Sequence, residues 1–279
     1  MVAALLLYLA IFFGASIALY AVGTALPDSI EGTFGVASLG VAEGLALLAV
    51  LGVWVLVDRR PVAQLGLRRG RAARRWLTGA LIATLMMGFV VLVGYTLVDG
   101  AAWAVNPDAS RATFVLVAGL IGFAVQGPAE EVLFRGYVLE NLKDQWGGAI
   151  AVLVSSVAFA VFHAANPAFG LLPLINLFLF GVATALYKLR LDDNQLWGVF
   201  AIHTVWNWLQ QVVFGLPNSG LASTPGNALF TVTPPSDLPA ALSGGGFGPE
   251  GTLASTLVLL ALMFVSLRVK PRASGLPMR

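Results

Sequence analysis

Runs of apolar residues of near-bilayer length alternate with charged, Gly-rich or Pro-rich breaks, at about 1–23, 35–57, 77–98, 113–129, 149–164, 170–189, 196–214 and 252–268. A spanning helix takes about 20 apolar residues, and Gly and Pro clusters punctuate such runs. The pattern therefore predicts an all-α fold, a polytopic membrane protein of about eight transmembrane helices. The runs fill more than half of the sequence and leave no room for a separate soluble domain. No Lys or Arg precedes the first run, so the basic start of a cleaved signal peptide is missing and the run reads as a retained helix. The segment Gly215 to Gly251 is rich in Gly, Pro, Ser and Ala, lacks Lys and Arg and has no helical period, which predicts a mobile loop.

Composition agrees with the pattern. Of 279 residues, 58% are hydrophobic and 11% charged, whereas soluble domains carry roughly 25% charged residues. The chain has no cysteine, which removes a disulfide-stapled scaffold and any thiolate-ligated metal or cluster.

Charge adds orientation. Seven arginines, Arg59, Arg60, Arg68, Arg69, Arg71, Arg74 and Arg75, lie in one break, with no interleaved aromatics for stacking on bases. They read as a cytoplasmic loop on anionic headgroups, not as a nucleic-acid site. With that loop inside, alternation puts Lys143, Lys188, Arg190, Arg268, Lys270, Arg272 and Arg279 on the same side. Only Arg111 then falls in an outer loop, and an even helix count with both termini cytoplasmic satisfies the positive-inside rule.

Candidate chemistry comes from polar groups inside the apolar runs, which are expensive there and mark function by default. They are Glu43, the run from Glu130 to Arg135, His163 and His203, with Asn207 one turn beyond; the two histidines are the only ones in the chain. Residues four apart share a helical face, and consecutive residues turn by about 100°. Glu131 and Arg135 can therefore pair along one helix while Glu130 points elsewhere, and Phe159 can wall His163 as His203 shares a face with Asn207. At about 1.5 Å per residue, Glu130 and His163 stand level, some 25 Å from the break at Gln145–Gly148. His203 stands only about 15 Å above the break at Asp192–Asn194, so tilt or protrusion of Arg135–Asp144 must bring it to that layer. Glu43, within Gly40-x-x-x-Gly44, reads as a hydrogen-bonded packing residue at a close helix contact. Trp206 and Trp208 read as packing or interfacial anchors.

In this order and spacing, Glu130-Glu131-x-x-x-Arg135, Phe159-x-x-x-His163 and His203-x-x-x-Asn207 resemble the EExxxR, FxxxH and HxxxN motifs of the CPBP intramembrane proteases. That family includes the type II CAAX prenyl endopeptidases and bacteriocin-processing, Abi-like proteins. The resemblance spans about 115–212 and implies a catalytic core from helices 4, 5 and 7 in a multi-pass protein of a prokaryotic cell membrane. It divides the chain into N-terminal helices (1–112), a catalytic core (113–214), an extracytoplasmic loop (215–251) and a last helix with a basic tail (252–279). The implied activity is cleavage of a membrane-associated peptide or protein substrate. Chemistry and resemblance together make Glu130 the general base on a water that His163 helps position, with His203 and Asn207 as oxyanion donors and Glu131, Arg135 and Phe159 in support. Glu130, His163 and His203 could equally hold Zn²⁺ with one open position, as the family's metalloprotease label suggests.

Other readings stay open at this point. An HExxH site is impossible, because neither histidine is followed by Glu. Gly14-Ala15-Ser16 has Ile17 where a serine intramembrane protease has glycine. A non-catalytic scaffold or immunity protein is the nearest alternative, and a transporter lacks support from any internal repeat.

Overall fold

The structure, a computed structural model, describes residues 2–23, 28–223 and 226–269. Lys270, Arg272 and Arg279 of the basic tail lie outside the described residues. Each apolar run falls within a helix. The helices are α1 (Val2–Gly23), α2 (Asp28–Gly52), α3 (Ala72–Val91), α4 (Ala109–Glu131), α5 (Leu139–Trp146), α6 (Gly148–Phe162), α7 (Leu171–Arg190), α8 (Trp197–Trp208), the short α9 (Ala240–Ser243) and α10 (Leu253–Arg268). Four stretches, Gly40–Val57, Ala72–Thr96, Ala109–Trp146 and Leu171–Arg190, are long and apolar enough to cross a membrane, and Leu6–Leu19, α6 and α10 are shorter apolar helices. The chain is thus an integral membrane protein with several candidate spans.

One expectation, that of an irregular segment before the last helix, needs correction. The fourth helix runs on beyond its apolar run to the break near Gln145, α4 passing through a π-helical stretch, Val132–Val138, into α5 to give 38 continuous residues. Within Arg135–Asp144, Leu139, Glu140 and Leu142 of α5 are buried against the rest of the protein. The fold also includes a two-stranded antiparallel ribbon, β1 (Ala102–Val105) with β2 (Phe230–Thr233), in the register Ala102 to Thr233.

The ribbon begins that correction. The described part of the long segment before α10 is folded, not an irregular excursion. β2 ties it to the α3–α4 connection, and Asn106 donates to the carbonyls of Gly226 and Ala228 at 2.9 and 3.0 Å. Tyr95 donates to the Ser243 carbonyl at 2.5 Å, and the Gly220 amide to that of Phe247 at 2.9 Å. A composition that lacks side chains to bury is compensated by close backbone approach: a Cβ on Gly220 would stand 2.1 Å from the Pro167 carbonyl oxygen.

Small residues also let the helices approach, as expected where lipid removes the hydrophobic drive for helix association. Gly79 of α3 lies so close to Gly198 of α8 that a Cβ would come within 2.1 Å of its carbonyl oxygen. Gly40 of α2 faces the Gly122 backbone of α4, with 3.2 Å available. Beside this seam Glu43 is buried and accepts a hydrogen bond from Tyr8 of α1, which ties α1 to α2. Trp208 donates to the Leu116 carbonyl at 2.9 Å and fastens the end of α8 to α4.

At the opposite end from the ribbon, part of the arginine-rich break folds onto the protein. Arg75 pairs with Asp192 at 3.0 Å and Asp193 at 2.7 Å, Arg60 pairs with Asp144 at 3.0 Å, and the Arg68 amide donates to Gln195 at 2.9 Å. The arginine loop, the end of α5 and the α7–α8 turn thus share one end of the bundle. Burial pushes the Asp192 carboxyl up to about 6, against the opposing pull of the Gly198 amide and Arg75. Arg59, Arg69, Arg71 and Arg74 remain exposed and are able to meet headgroups. Deeper in, Lys188 of α7 is fully buried, pairs with Glu140 and donates to the Arg135 carbonyl at 2.9 Å.

Candidate active site

The consecutive glutamates diverge, as their turn on the helix requires. Glu130 and Glu131 are 3% and 0% exposed at the end of α4. Glu131 Oε1 accepts from Arg135 Nη1 at 3.1 Å and from His203 Nδ1 at 2.8 Å. Glu130 turns the other way: Oε1 accepts from Gln126, while Oε2 stands 3.8 Å from His163 Nε2 and makes no hydrogen bond to any described residue.

Both imidazoles are held through Nδ1. His163 follows the last residue of α6, and its Nδ1 lies 2.9 Å from the Phe159 carbonyl. A carbonyl only accepts, so Nδ1 carries the proton and a neutral ring presents a bare Nε2 towards Glu130. Phe159 is the other half of this arrangement. Its ring centroid lies 4.8 Å from that of His163, and the Arg135 guanidinium sits 4.1 Å over its face. That cation–π contact attracts a buried guanidinium whose Nε and Nη2 have no hydrogen-bond partner among the described residues.

Close packing brings His203 to Glu131. A Cβ on Gly127 of α4 would lie 3.3 Å from the His203 Cβ and 3.1 Å from the Thr204 amide, so only glycine lets α8 come this near without displacement. This approach places His203 beside the turn of α4 that carries Glu131. Asn207, one turn along the same face, donates from Nδ2 to Gln126 Oε1 at 3.0 Å. Gln126 therefore joins Glu130 to Asn207 and is a residue that the motifs do not include. Its signal was a polar side chain four residues before Glu130 in an apolar run, overlooked because it is not ionisable.

His163, His203 and Asn207 face a cavity of about 30 Å³, enough for one or two waters. Glu130 lies behind His163 and outside the lining. Opposite stand Asn176 of α7 together with Ser219 and Glu250 of the folded outer segment. Glu250 is 8% exposed and accepts from the Ser219 amide and hydroxyl at 3.1 Å each, and from Gln210. Burial pushes its carboxyl up to about 7, with the hydrogen bonds from its own backbone, Gln210 and Ser219 opposing. Nothing in its local sequence marks it, because its partners come from other parts of the chain.

The same geometry tests the metal set. Glu130 Oε2 and His163 Nε2 converge, and both imidazoles are held through Nδ1 with Nε2 free, as metal-ligating histidines commonly are, but among the described residues no three His, Asp or Glu side chains come together to hold a metal ion. The expected trio of Glu130, His163 and His203 does not fit a three-ligand site in this arrangement.

The chain carries a recognisable family segment over this site. A family model described as "Type II CAAX prenyl endopeptidase Rce1-like" matches residues 111–209, the stretch that holds Glu130, His163, His203 and Asn207. The match covers about a third of the chain and coincides with the three motifs whose resemblance pointed to the same group. No curated protein matches the chain.

Proposed function

We propose that the protein is an intramembrane endopeptidase in which Glu130 activates water against a peptide bond of a membrane-associated substrate. One observation carries this reading: two buried acceptors, Glu130 Oε2 and His163 Nε2, face one another at 3.8 Å. Once the two groups part enough to admit it, a single water donating one hydrogen to each would keep a lone pair for attack.

The remaining residues have roles consistent with their contacts. As the water oxygen bonds to the scissile carbonyl carbon, its proton passes to Glu130. The second Nδ2–H of Asn207, not used by Gln126, and His203, oriented through Nδ1 by Glu131, face the oxyanion as its donors. Collapse of the intermediate breaks the C–N bond, and Glu130 returns the proton to the leaving amine. Glu131, Arg135 and Phe159 hold His203 and His163 in place. No step is routed through a metal, for which the donors are not assembled.

In the membrane the reading is eight crossings with both termini and the arginine-rich loop cytoplasmic, supported by the clustering of basic residues at one end. The decisive experiment follows cleavage of lipidated and unlipidated peptides by purified protein in detergent. Glu130→Gln should lose about 10²–10⁴-fold in turnover, and Asn207→Ala about 10²–10³-fold, with little change in peptide binding. Full activity of Glu130→Gln would overturn the reading, and stoichiometric zinc whose removal and return switch cleavage off and on would overturn its metal-free form.

A further inference from the structure

Gln126 makes two hydrogen bonds, and each goes to a group that the reaction uses. Its Nε2 donates to Glu130 Oε1, and its Oε1 accepts from Asn207 Nδ2 at 3.0 Å. Four residues before Glu130, the buried Gln126 shares its face of α4, whereas Asn207 comes from α8. The close approach at Gly127, the next residue, brings the two helices within reach of one side chain. Asn207 makes no other side-chain hydrogen bond to a described residue, although it lines the cavity with His163 and His203.

A chain of amides has a direction, and here the carboxyl group at its end sets it. Glu130 acts as a base by accepting, so Gln126 must turn its amide nitrogen to Glu130 and its oxygen to α8. Asn207 must then meet that oxygen with its own amide nitrogen, whose second N–H is left for the cavity. The flipped amide would place a lone pair where that N–H stands, against a developing oxyanion. We propose that Gln126 is a positioning residue of the reaction: it couples the base to the oxyanion donor by deciding which end of the Asn207 amide serves the cavity. This rests on the peptide-cleavage reading above and adds a residue to it. The same bond occupies Glu130 Oε1 and leaves Oε2 as the oxygen facing His163. Holding two helices together would need only some polar pair across the seam, whereas this role needs a donor and an acceptor on one side chain, in that order.

The test uses the whole chain in detergent and has two arms. The first follows cleavage of a quenched fluorescent peptide, with kcat and KM separated, by wild type, Gln126→Met, Asn207→Ala and the double variant. Gln126→Met keeps the size of the side chain and should lose about 10²-fold in kcat with KM little changed. Because the Asn207 amide is then already misdirected, adding Asn207→Ala should cost no more than about tenfold further, against about 10²–10³-fold in wild type. The second arm follows hydrogen exchange of the Asn207 side-chain amide by NMR with isotope-labelled Asn, the signal being assigned by its loss in Asn207→Ala. Exchange should be about tenfold faster or more in Gln126→Met. Gln126→Glu, which keeps an acceptor for Asn207 in either protonation state, should leave it slow, and this comparison stands even if Gln126→Met does not fold. Wild-type kcat in Gln126→Met, full multiplication of the two substitutions, or fast exchange in Gln126→Glu would overturn the proposal and leave the cleavage reading in place. If wild type cleaves no peptide, the cleavage reading falls and the second arm decides alone: exchange that depends on Gln126 upholds its control of Asn207, and exchange unchanged in Gln126→Met overturns it.

Discussion

A single oxygen of Glu131 joins two helices: it accepts from His203 of α8 at 2.8 Å and from Arg135, one turn along its own rod, at 3.1 Å. His203 takes its orientation from a carboxylate that is itself oriented by a guanidinium. Arg135 is in turn held over Phe159, the residue whose carbonyl fixes His163. Both imidazoles therefore depend on one arginine that reaches neither the cavity nor the bulk solvent.

Arg135→Ala would leave Glu131 buried beside His203 without its cation. Loss of one partner from a buried pair destabilises by about 3–5 kcal/mol, so thermal unfolding in detergent should shift down clearly. Arg135→Lys keeps the charge but not the planar stack on Phe159 and should recover only part of the loss. Unchanged thermal stability of Arg135→Ala would show that the pair adds nothing to the fold.

Gly127→Ala tests the approach of α8 to α4. The added methyl would meet the Thr204 amide at 3.1 Å and the His203 Cβ at 3.3 Å, and the helices must separate by a few tenths of an ångström. Misplacement by 1 Å can lower turnover by about 100-fold, so this smaller shift should lower kcat by about tenfold with KM little changed. Wild-type kcat would show that His203 tolerates a looser seam.

The pH dependence of stability follows from Glu250. Its carboxyl is raised from 4.5 to about 7 in the folded protein, so the fold binds that proton more tightly than the unfolded chain does. The stabilisation is complete below about pH 4.5 and is lost as the pH rises through about 7, amounting to roughly 3 kcal/mol for a shift of this size. Unfolding followed from pH 5 to 8.5 should show falling stability, and Glu250→Gln should flatten the part centred near pH 7. Asp192, raised to about 6, adds a slope of the same sign at lower pH, which Glu250→Gln should leave in place.

Orientation can be read by labelling, because the chain has no cysteine of its own. Arg71 and Asp237 are both exposed. Arg71→Cys should react with an impermeant reagent from the cytoplasmic face of sealed vesicles, and Asp237→Cys only from the other. Labelling of both from the same face would contradict the eight-crossing arrangement.

What the sequence made legible was local. Apolar runs located the helices, and four-residue spacing put Glu131 with Arg135, Phe159 with His163 and His203 on a face with Asn207. Contacts made at a distance left fainter marks. Gln126 carries no charge and belongs to no motif, although it touches both Glu130 and Asn207. Glu250 sits in a Gly- and Pro-rich stretch whose folding depends on backbone contacts with Pro167, Pro217 and Asn176, none of them near in sequence. The contact of His203 with Glu131 could not be counted from its turn, because it depends on how closely α8 approaches α4 at Gly127.

The π-helical stretch Val132–Val138 makes the chain sensitive to length at this point. A wider turn absorbs residues that a regular α-helix would not, and so sets the rotational phase of everything after it. Removing one residue there would turn Glu140 by about 100° about the rod axis, away from Lys188, whose ammonium also caps the Arg135 carbonyl. Substitutions within the stretch change side chains one at a time, whereas a single-codon deletion would strand a buried lysine and a buried glutamate together. Insertions and deletions should therefore be tolerated in the connections between rods and excluded from these seven residues.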